Sequence, residues 1–390
     1  MKTSDQLEII RRGSAEIISE EQLAALIERS KKNKIPLRIK AGFDPTAPDI
    51  HLGHTVLLRK LRQFQDLGHT VLFLIGDFTA RIGDPSGQNQ MRPQMSEKEI
   101  KRNAQTYKNQ VFKILDEKKT KVVFNARWLA KLDAKDIMGL VSHVSVAQLI
   151  ARADFKKRLQ DSKEVSLLEF MYPLLQAYDS VYLKADIEIG GIDQKFNLLM
   201  ARQLQTYFHQ EPQVVVMMPL LEGTDGVHKM SKSIGNYIGI NEASGEIFGK
   251  TMSISDNLMW RYYELLTDYD LQEYKKKFSP MEAKINLAKH FVEAYHKERA
   301  AQEAEVEFRR VFSNRSVPAD MPSYSISSLG GIVITELLVK SHLVASGNEA
   351  RRLLKQGAVY FENKRITDER FIIPGPGIVK IGKRKFLKVK

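Results

Sequence analysis

Through the first 220 residues, short runs that are apolar on both faces alternate with amphipathic stretches. Residues 36–42 and 69–77 (HTVLFLIGD) predict strands, the second apolar throughout, as a parallel strand buried on both faces should be. Between them, residues 55–67 put Leu57, Leu61 and Phe64 on one helical face, with Gly68 as a stop. That makes one βαβ unit. Ser96-x-x-Glu99 has the form of a capping box and opens a helix running to about residue 115. Strands follow at 121–125, 185–190 and 213–220, with a helix over 193–208. Five strands separated by helices predict an α/β fold built on a doubly wound, Rossmann-like parallel sheet. Ligands of such sheets lie beyond the carboxyl ends of the strands, so the loops there are where chemistry is expected.

After about residue 240 the strand signal stops. Residues 246–266 and 281–312 are long, charged and helix-forming, which predicts an α-helical domain. Residues 314–331 are rich in Ser, Pro and Gly and predict a linker. Beyond it come a helix near 334–343, a second opened by Ser346-x-x-Glu349 and stopped by Gly357, and hairpin material, a small α+β module. The division expected is therefore 1–235, 236–313, a linker over 314–331, and 332–390.

Composition narrows the classes. The 390 residues include 43% apolar residues and no cysteine, which excludes global disorder, a disulfide scaffold and thiol chemistry. No apolar run approaches a membrane span and the N-terminus has no signal-peptide core, so a cytoplasmic protein is expected. Net charge is +13, unevenly spread: residues 331–390 hold 13 Lys and Arg against 5 Asp and Glu. A tail with that excess is either a solvated surface or an electrostatic footprint for nucleic acid.

Two loops carry candidate chemistry. His51-Leu52-Gly53-His54 falls between the first predicted strand and its helix. A helix N-terminus there favours an anion, Gly53 admits close approach, and two histidines three apart can donate to phosphate oxygens. The same pair also fits exposed histidines at a helix start, or half a metal site. Lys229-Met230-Ser231-Lys232-Ser233 lies in a loop flanked by Gly223, Gly226 and Gly235. Two flexible point charges suit a transient phosphate clamp, and a solvated basic loop is the plainer alternative. An exact five-residue match arises by chance in roughly one of a few million windows.

Together these signatures resemble the HIGH and KMSKS motifs of class I aminoacyl-tRNA synthetases. Within that class, residues 42–46 (GFDPT), 82–87 (IGDPSG), 172–179 (YPLLQAYD) and 190–194 (GGIDQ) resemble bacterial tyrosyl-tRNA synthetases, and KMSKS resembles their second subtype. The resemblance runs from about residue 35 to the C-terminus. It implies that Asp84, Tyr172 and Gln176 surround the α-ammonium of tyrosine, that Asp179 accepts from the phenol, and that Gln194 lies near the carboxylate. Gly191 and Asp193 would hold the ATP ribose, and Asp44 would sit near the ammonium and adenylate. Thr46, His51 and His54, with Gly53, would meet ATP, and Lys229, Lys232 and Ser233 the pyrophosphate. Lys40, counted among the tyrosine-binding residues, stands where the other subtype uses a tyrosine to share the phenol. Gln88 replaces a usual lysine and Ile192 a usual small residue. The tail resembles a small RNA-binding domain also found in a ribosomal protein, implying RNA contact by Arg351, Arg352 and Lys355.

The activity so implied joins tyrosine to ATP and then to tRNA(Tyr), with Mg²⁺ arriving on ATP, no protein-built metal site and no editing domain. A homodimer is implied as well, residues 130–165 being a candidate face. Rival readings are a tryptophanyl enzyme, a small-molecule nucleotidyltransferase, and a synthetase-like RNA-binding protein without catalysis.

Overall fold

The computed structural model describes residues 1–45, 49–86, 95–313, 321–325, 332–362, 364–382 and 385–390, with backbone alone at 311–313. They form two compact units, 1–301 and 302–390.

The first unit is built on a six-stranded sheet. Its strands are β1 (Glu16–Ile18), β2 (Arg38–Phe43), β3 (Thr70–Ile75), β4 (Thr120–Phe124), β5 (Ile187–Gly191) and β6 (Val214–Met218), in the order β1-β6-β5-β2-β3-β4. The five strands expected are parallel. The sixth, β1, pairs antiparallel with β6, Ile17 opposite Val216. β3, β5 and β6 are apolar almost throughout because helices cover both faces. Chain order reverses between β2 and β5, which opens a crevice at their carboxyl ends.

Helix Leu52–Asp66 follows β2, and its buried face is set by Leu58, Leu61 and Phe64; Leu57 lies only half-buried. Lys60, on the same helix, is also buried. Its ammonium donates to the carbonyls of Ile9 (3.0 Å), Ile10 (2.9 Å) and Arg12 (2.8 Å), at the end of helix Thr3–Arg11. Helix Leu167–Leu183 packs on helix Lys195–Tyr207 through Leu174, Ala177, Val181, Ala201 and Leu204.

The helical stretch after residue 240 is more broken than its pattern predicts. Ser255 caps a new helix, so Ser244–Met252 and Asp256–Leu266 replace one long element. Likewise Pro280–Tyr295 ends at His296 before Glu298–Ser313 begins. Up to Ala301 these helices belong to the same compact unit as the sheet, so no unit boundary falls at 235. The Tyr262 hydroxyl, for example, donates to the Glu222 carbonyl at 2.7 Å.

In the second unit, helices Ile334–Lys340 and Gly347–Lys355 bury Leu337, Leu338, Ala350 and Leu354 against Val359, Ile373 and Val379. Its strands are β7 (Ser323–Tyr324), β8 (Ile332–Val333), β9 (Val359–Phe361), β10 (Lys364–Ile366), β11 (Ile372–Ile373), β12 (Gly377–Ile381) and β13 (Lys385–Val389). One sheet has the order β10-β9-β12-β13-β7 and a second pairs β11 with β8. β7 lies within the stretch expected to be a linker, yet it pairs parallel with β13. Among the described residues no helix is long and apolar enough to cross a membrane.

Candidate active site

The crevice between β2 and β5 contains a cleft of about 370 Å³, counting the part open to solvent, lined by Lys40, Asp44, Thr79, Asp84, Tyr172, Gln176, Asp179 and Gln194 among others. In its wall the buried Asp179 carboxylate accepts from the Trp128 indole N–H at 2.7 Å and from Asn125 Nδ2 at 3.1 Å. Burial raises its pKa to about 7 against the opposing pull of Lys40 and these two donors. Asn125 is itself oriented: its Oδ1 accepts from the Phe78 amide, so its Nδ2 must face Asp179 and Thr79.

Toward the mouth, the Tyr172 hydroxyl donates to Asp44 Oδ2 at 2.8 Å, and Thr79 donates to Asp44 Oδ1 at 2.8 Å. Burial, reinforced by Asp44 and Asp84, drives the Tyr172 phenol well above its ordinary pKa, so it stays a donor. Asp84 accepts from the Ser86 amide at 2.9 Å and from Gln194 Nε2 at 2.9 Å. Lys40 lines the cleft, but its ammonium is spent: it donates to Glu188 (2.9 Å), Ser180 (2.8 Å) and the Gln176 carbonyl (3.2 Å). An ammonium has three protons, so none remains for a phenol. Lys40 acts on Asp179 through its field.

The histidine loop caps helix Leu52–Asp66. His51 Nδ1 accepts from the Gly53 amide, and His54 Nδ1 from the His51 amide, both at 3.2 Å. Burial first, then the charge of Lys232, depresses His54 to about 4; burial, then His54 and Lys232, depresses His51 to about 2. Both rings are therefore neutral at neutral pH, with the proton on Nε2. A Cβ on Gly53 would lie 2.9 Å from His51 Cε1, so only glycine keeps that ring in place. The two signatures meet: Leu52 N–H donates to the Ile238 carbonyl (2.9 Å), Ile240 N–H to that of Ile50 (3.1 Å), and the buried Met230 Sδ lies 3.3 Å from Gly53 N.

Lys229 faces Asp193 at 3.4 Å and Lys232 faces Asp49 at 3.1 Å, while Ser233 is exposed on the turn. Burial raises the Asp193 carboxyl, opposed by Lys229. The loop is tied by buried Asn236, whose Oδ1 accepts from the Ser231 amide (2.8 Å) and whose Nδ2 donates to Asp225 (3.1 Å) and the Lys229 carbonyl (3.2 Å). Gly191 ends β5 beside Asp193; a Cβ there would come 2.5 Å from Asp193 Oδ1.

Comparison with known proteins gives the family of the chain. A family model of class I tRNA synthetases (W and Y) matches residues 31–313, and a model of tyrosine–tRNA ligase C-terminal domains matches residues 314–388. The tyrosine–tRNA ligase of Geobacter metallireducens is 52% identical over 100% of this chain and 99% of its own length. Tyrosine–tRNA ligase 2 of Vibrio cholerae is 51% identical over 97% of each. This chain belongs to the tyrosine–tRNA ligase family. The fold agrees: a truncated mitochondrial tyrosyl-tRNA synthetase of Aspergillus nidulans superposes with a TM-score of 0.65 at 22% identity, covering 80% of this chain and 94% of that one.

Of the residues the family resemblance singles out, Lys40, Asp44, Asp84, Tyr172, Gln176, Asp179 and Gln194 line one cleft, and Gly53, His51, His54, Lys229 and Lys232 gather at the start of one helix and the loop over it. Thr46 and Gln88 lie outside the described residues. Ile192 packs against Leu198, Val215 and Met217, which accounts for its size. Tyr178 packs in the core near Phe208, away from the cleft lining. Asn125, Trp128, Glu188 and Asn236 escaped sequence reasoning. Among the described residues no group of three His, Cys, Asp or Glu is placed to hold a metal ion. Arg351, Arg352 and Lys355 are exposed on one helix, with Arg351 3.6 Å from Glu369.

Proposed function

We propose that this chain activates L-tyrosine with ATP and passes the tyrosyl group to the terminal adenosine of tRNA(Tyr). The observation that carries the substrate is Asp179, a buried carboxylate in the wall of the cleft, held by two donors and left with lone pairs for a third. A phenol supplies that donor. Asp84, Tyr172 and Gln176 lie on the cleft wall where an ammonium needs acceptors, with Gln194 beside Asp84 for the carboxylate end.

In the first step the tyrosine carboxylate attacks the α-phosphate of Mg-ATP, forming a C–O–P bond while the bond to pyrophosphate breaks. An ionised carboxylate needs no general base. The neutral histidines present Nε2–H donors to phosphate oxygens, and Lys229 and Lys232 exchange Asp193 and Asp49 for pyrophosphate as its charge develops. Asp193, with Gly191, holds the ribose, and Asp44 lies toward the adenylate. In the second step a ribose hydroxyl of tRNA takes the acyl group and AMP leaves.

Residues 332–390 serve as the RNA-binding module through Arg351, Arg352 and Lys355, and residues 236–313 as the helical part that reads the anticodon. The working form is a cytoplasmic homodimer. Exposed Met138, Val146 and Leu167 supply apolar surface on and beside residues 130–165 for that contact. ATP–pyrophosphate exchange across the twenty amino acids tests the activity. Exchange with tyrosine alone is expected; exchange with tryptophan, or with none, overturns it.

A further inference from the structure

Arg152 lies outside the cleft, as the cap of helix Ala153–Gln160, yet it is 95% buried. Asp154 balances its charge through Nε–H···Oδ1 and Nη2–H···Oδ2 contacts, both of 2.7 Å. The guanidinium lies 4.6 Å from the centroid of the Phe155 ring. Two of its donors then lead toward the cleft. Nη1 donates to Asn197 Oδ1 at 2.9 Å, and Asn197 Nδ2 donates to Gln176 Oε1 at 2.8 Å. Nη2 donates to the Ser86 hydroxyl at 3.1 Å, and the Ser86 amide donates to Asp84 Oδ1 at 2.9 Å. Each branch reaches a wall residue of the amino-acid subsite through one intermediate.

The direction of the first branch follows from chemistry. A carboxamide can turn over, exchanging an acceptor for a donor at almost no steric cost. A guanidinium cannot: it has only donors. Facing Arg152, Asn197 must offer oxygen, so its nitrogen faces Gln176, and Gln176 must offer oxygen in return. Oε1 is the only side-chain atom of Gln176 able to accept from an ammonium, and the chain from Arg152 helps to decide where it lies, together with Gln176 Nε2, which reaches Glu188 Oε1 at 3.5 Å on the other side. We propose that Arg152 is a positioning residue for the amino-acid subsite, setting the polarity of Asn197 and Gln176 and steadying Asp84 through Ser86, so that the wall accepts an α-ammonium. This rests on the assignment of that wall to the substrate ammonium.

Three ligands separate this role from a general structural one: tyrosine, tyramine, and 3-(4-hydroxyphenyl)propionate, which lacks the amine. Their affinities are measured by calorimetry on the full chain, wild type and Arg152→Gln, with thermal melting recorded beside them. Tyrosine and tyramine should weaken by about tenfold or more, the worth of one hydrogen bond to a charged group, while the amine-free acid holds within about twofold. Asn197→Leu, which keeps the Arg152–Asp154 pair, should give the same split, and it carries the test if Arg152→Gln does not fold. Equal loss of all three ligands, or no loss of any, overturns the inference. Failure of the wild-type chain to bind any of them overturns the underlying assignment instead.

Discussion

Asp179 carries the most chemistry of any single residue here. In the proposed role its ionised form accepts from a phenol, and burial raises its pKa to about 7. Tyrosine KM should therefore fall as pH rises between about 6 and 8, and the tyrosine/phenylalanine ratio of kcat/KM should climb, since a naked buried carboxylate opposite an apolar ring is costly. Asp179→Asn should flatten that profile, and Asp179→Ala should erode discrimination more than ATP binding; a ratio unchanged in either variant contradicts the assignment. Sites that bond a substrate hydroxyl reject its deoxy analogue by about 10⁴–10⁵, a range in which tyrosyl enzymes are themselves the reference case. The same raised pKa has a stability consequence of opposite sign: its contribution is full below the ordinary carboxylate range and fades as pH rises through about 7. The histidines predict the reverse of a titration. With pKa values of about 2 and 4, they should leave no mark on the adenylation rate between about pH 5 and 8. Gly53→Ala, which drives a methyl into the His51 ring, should cut that rate by about tenfold or more while sparing tyrosine binding, as burst kinetics against tyrosine fluorescence titration can show. Asp179 was legible in its motif. Asn125 and Trp128 were not, because nothing local says that the end of β4 faces a helix some 50 residues onward. Lys40 looks like a polar interruption of a strand until Glu188 appears opposite it.

Among elements, the five parallel strands were legible because a strand buried on both faces has an unbroken apolar signature. β1 was not: three residues at a sheet edge are too few to show a period of two. The long helices of 246–312 misled for a different reason. Helix-forming composition continues across Ser253–Ser255 and His296, and only capping geometry marks the breaks. Helix Thr3–Arg11 has its own role, since Lys60 grips its last carbonyls from the middle of the helix that begins with the histidine loop. Lys60→Met should leave those carbonyls without their donor and lower stability by about 2 kcal/mol or more. Early protease cleavage within the first 15 residues should accompany the lower melting temperature; a variant that melts and resists like the wild type would contradict this.

For the whole molecule, the charge surplus divides the labour. Arg352→Ala and Lys355→Ala should each lower the slope of log tRNA affinity against log salt by about 0.7–0.9, with adenylate formation untouched. An unaltered slope would remove these side chains from the RNA surface. Deleting the tail should impair tRNA charging and leave pyrophosphate exchange, but the place of the cut matters. The Lys388 amide donates to the Pro322 carbonyl and the Lys390 amide to that of Tyr324, so the last strand of the chain is closed by residues that precede the module's first helix. A fragment starting at 332 would emerge with the backbone of β13 bare along one side, a ready template for a second fragment to zip onto. Begun at about residue 318, it carries its own selvedge and should stay monomeric in light scattering where the shorter piece self-associates.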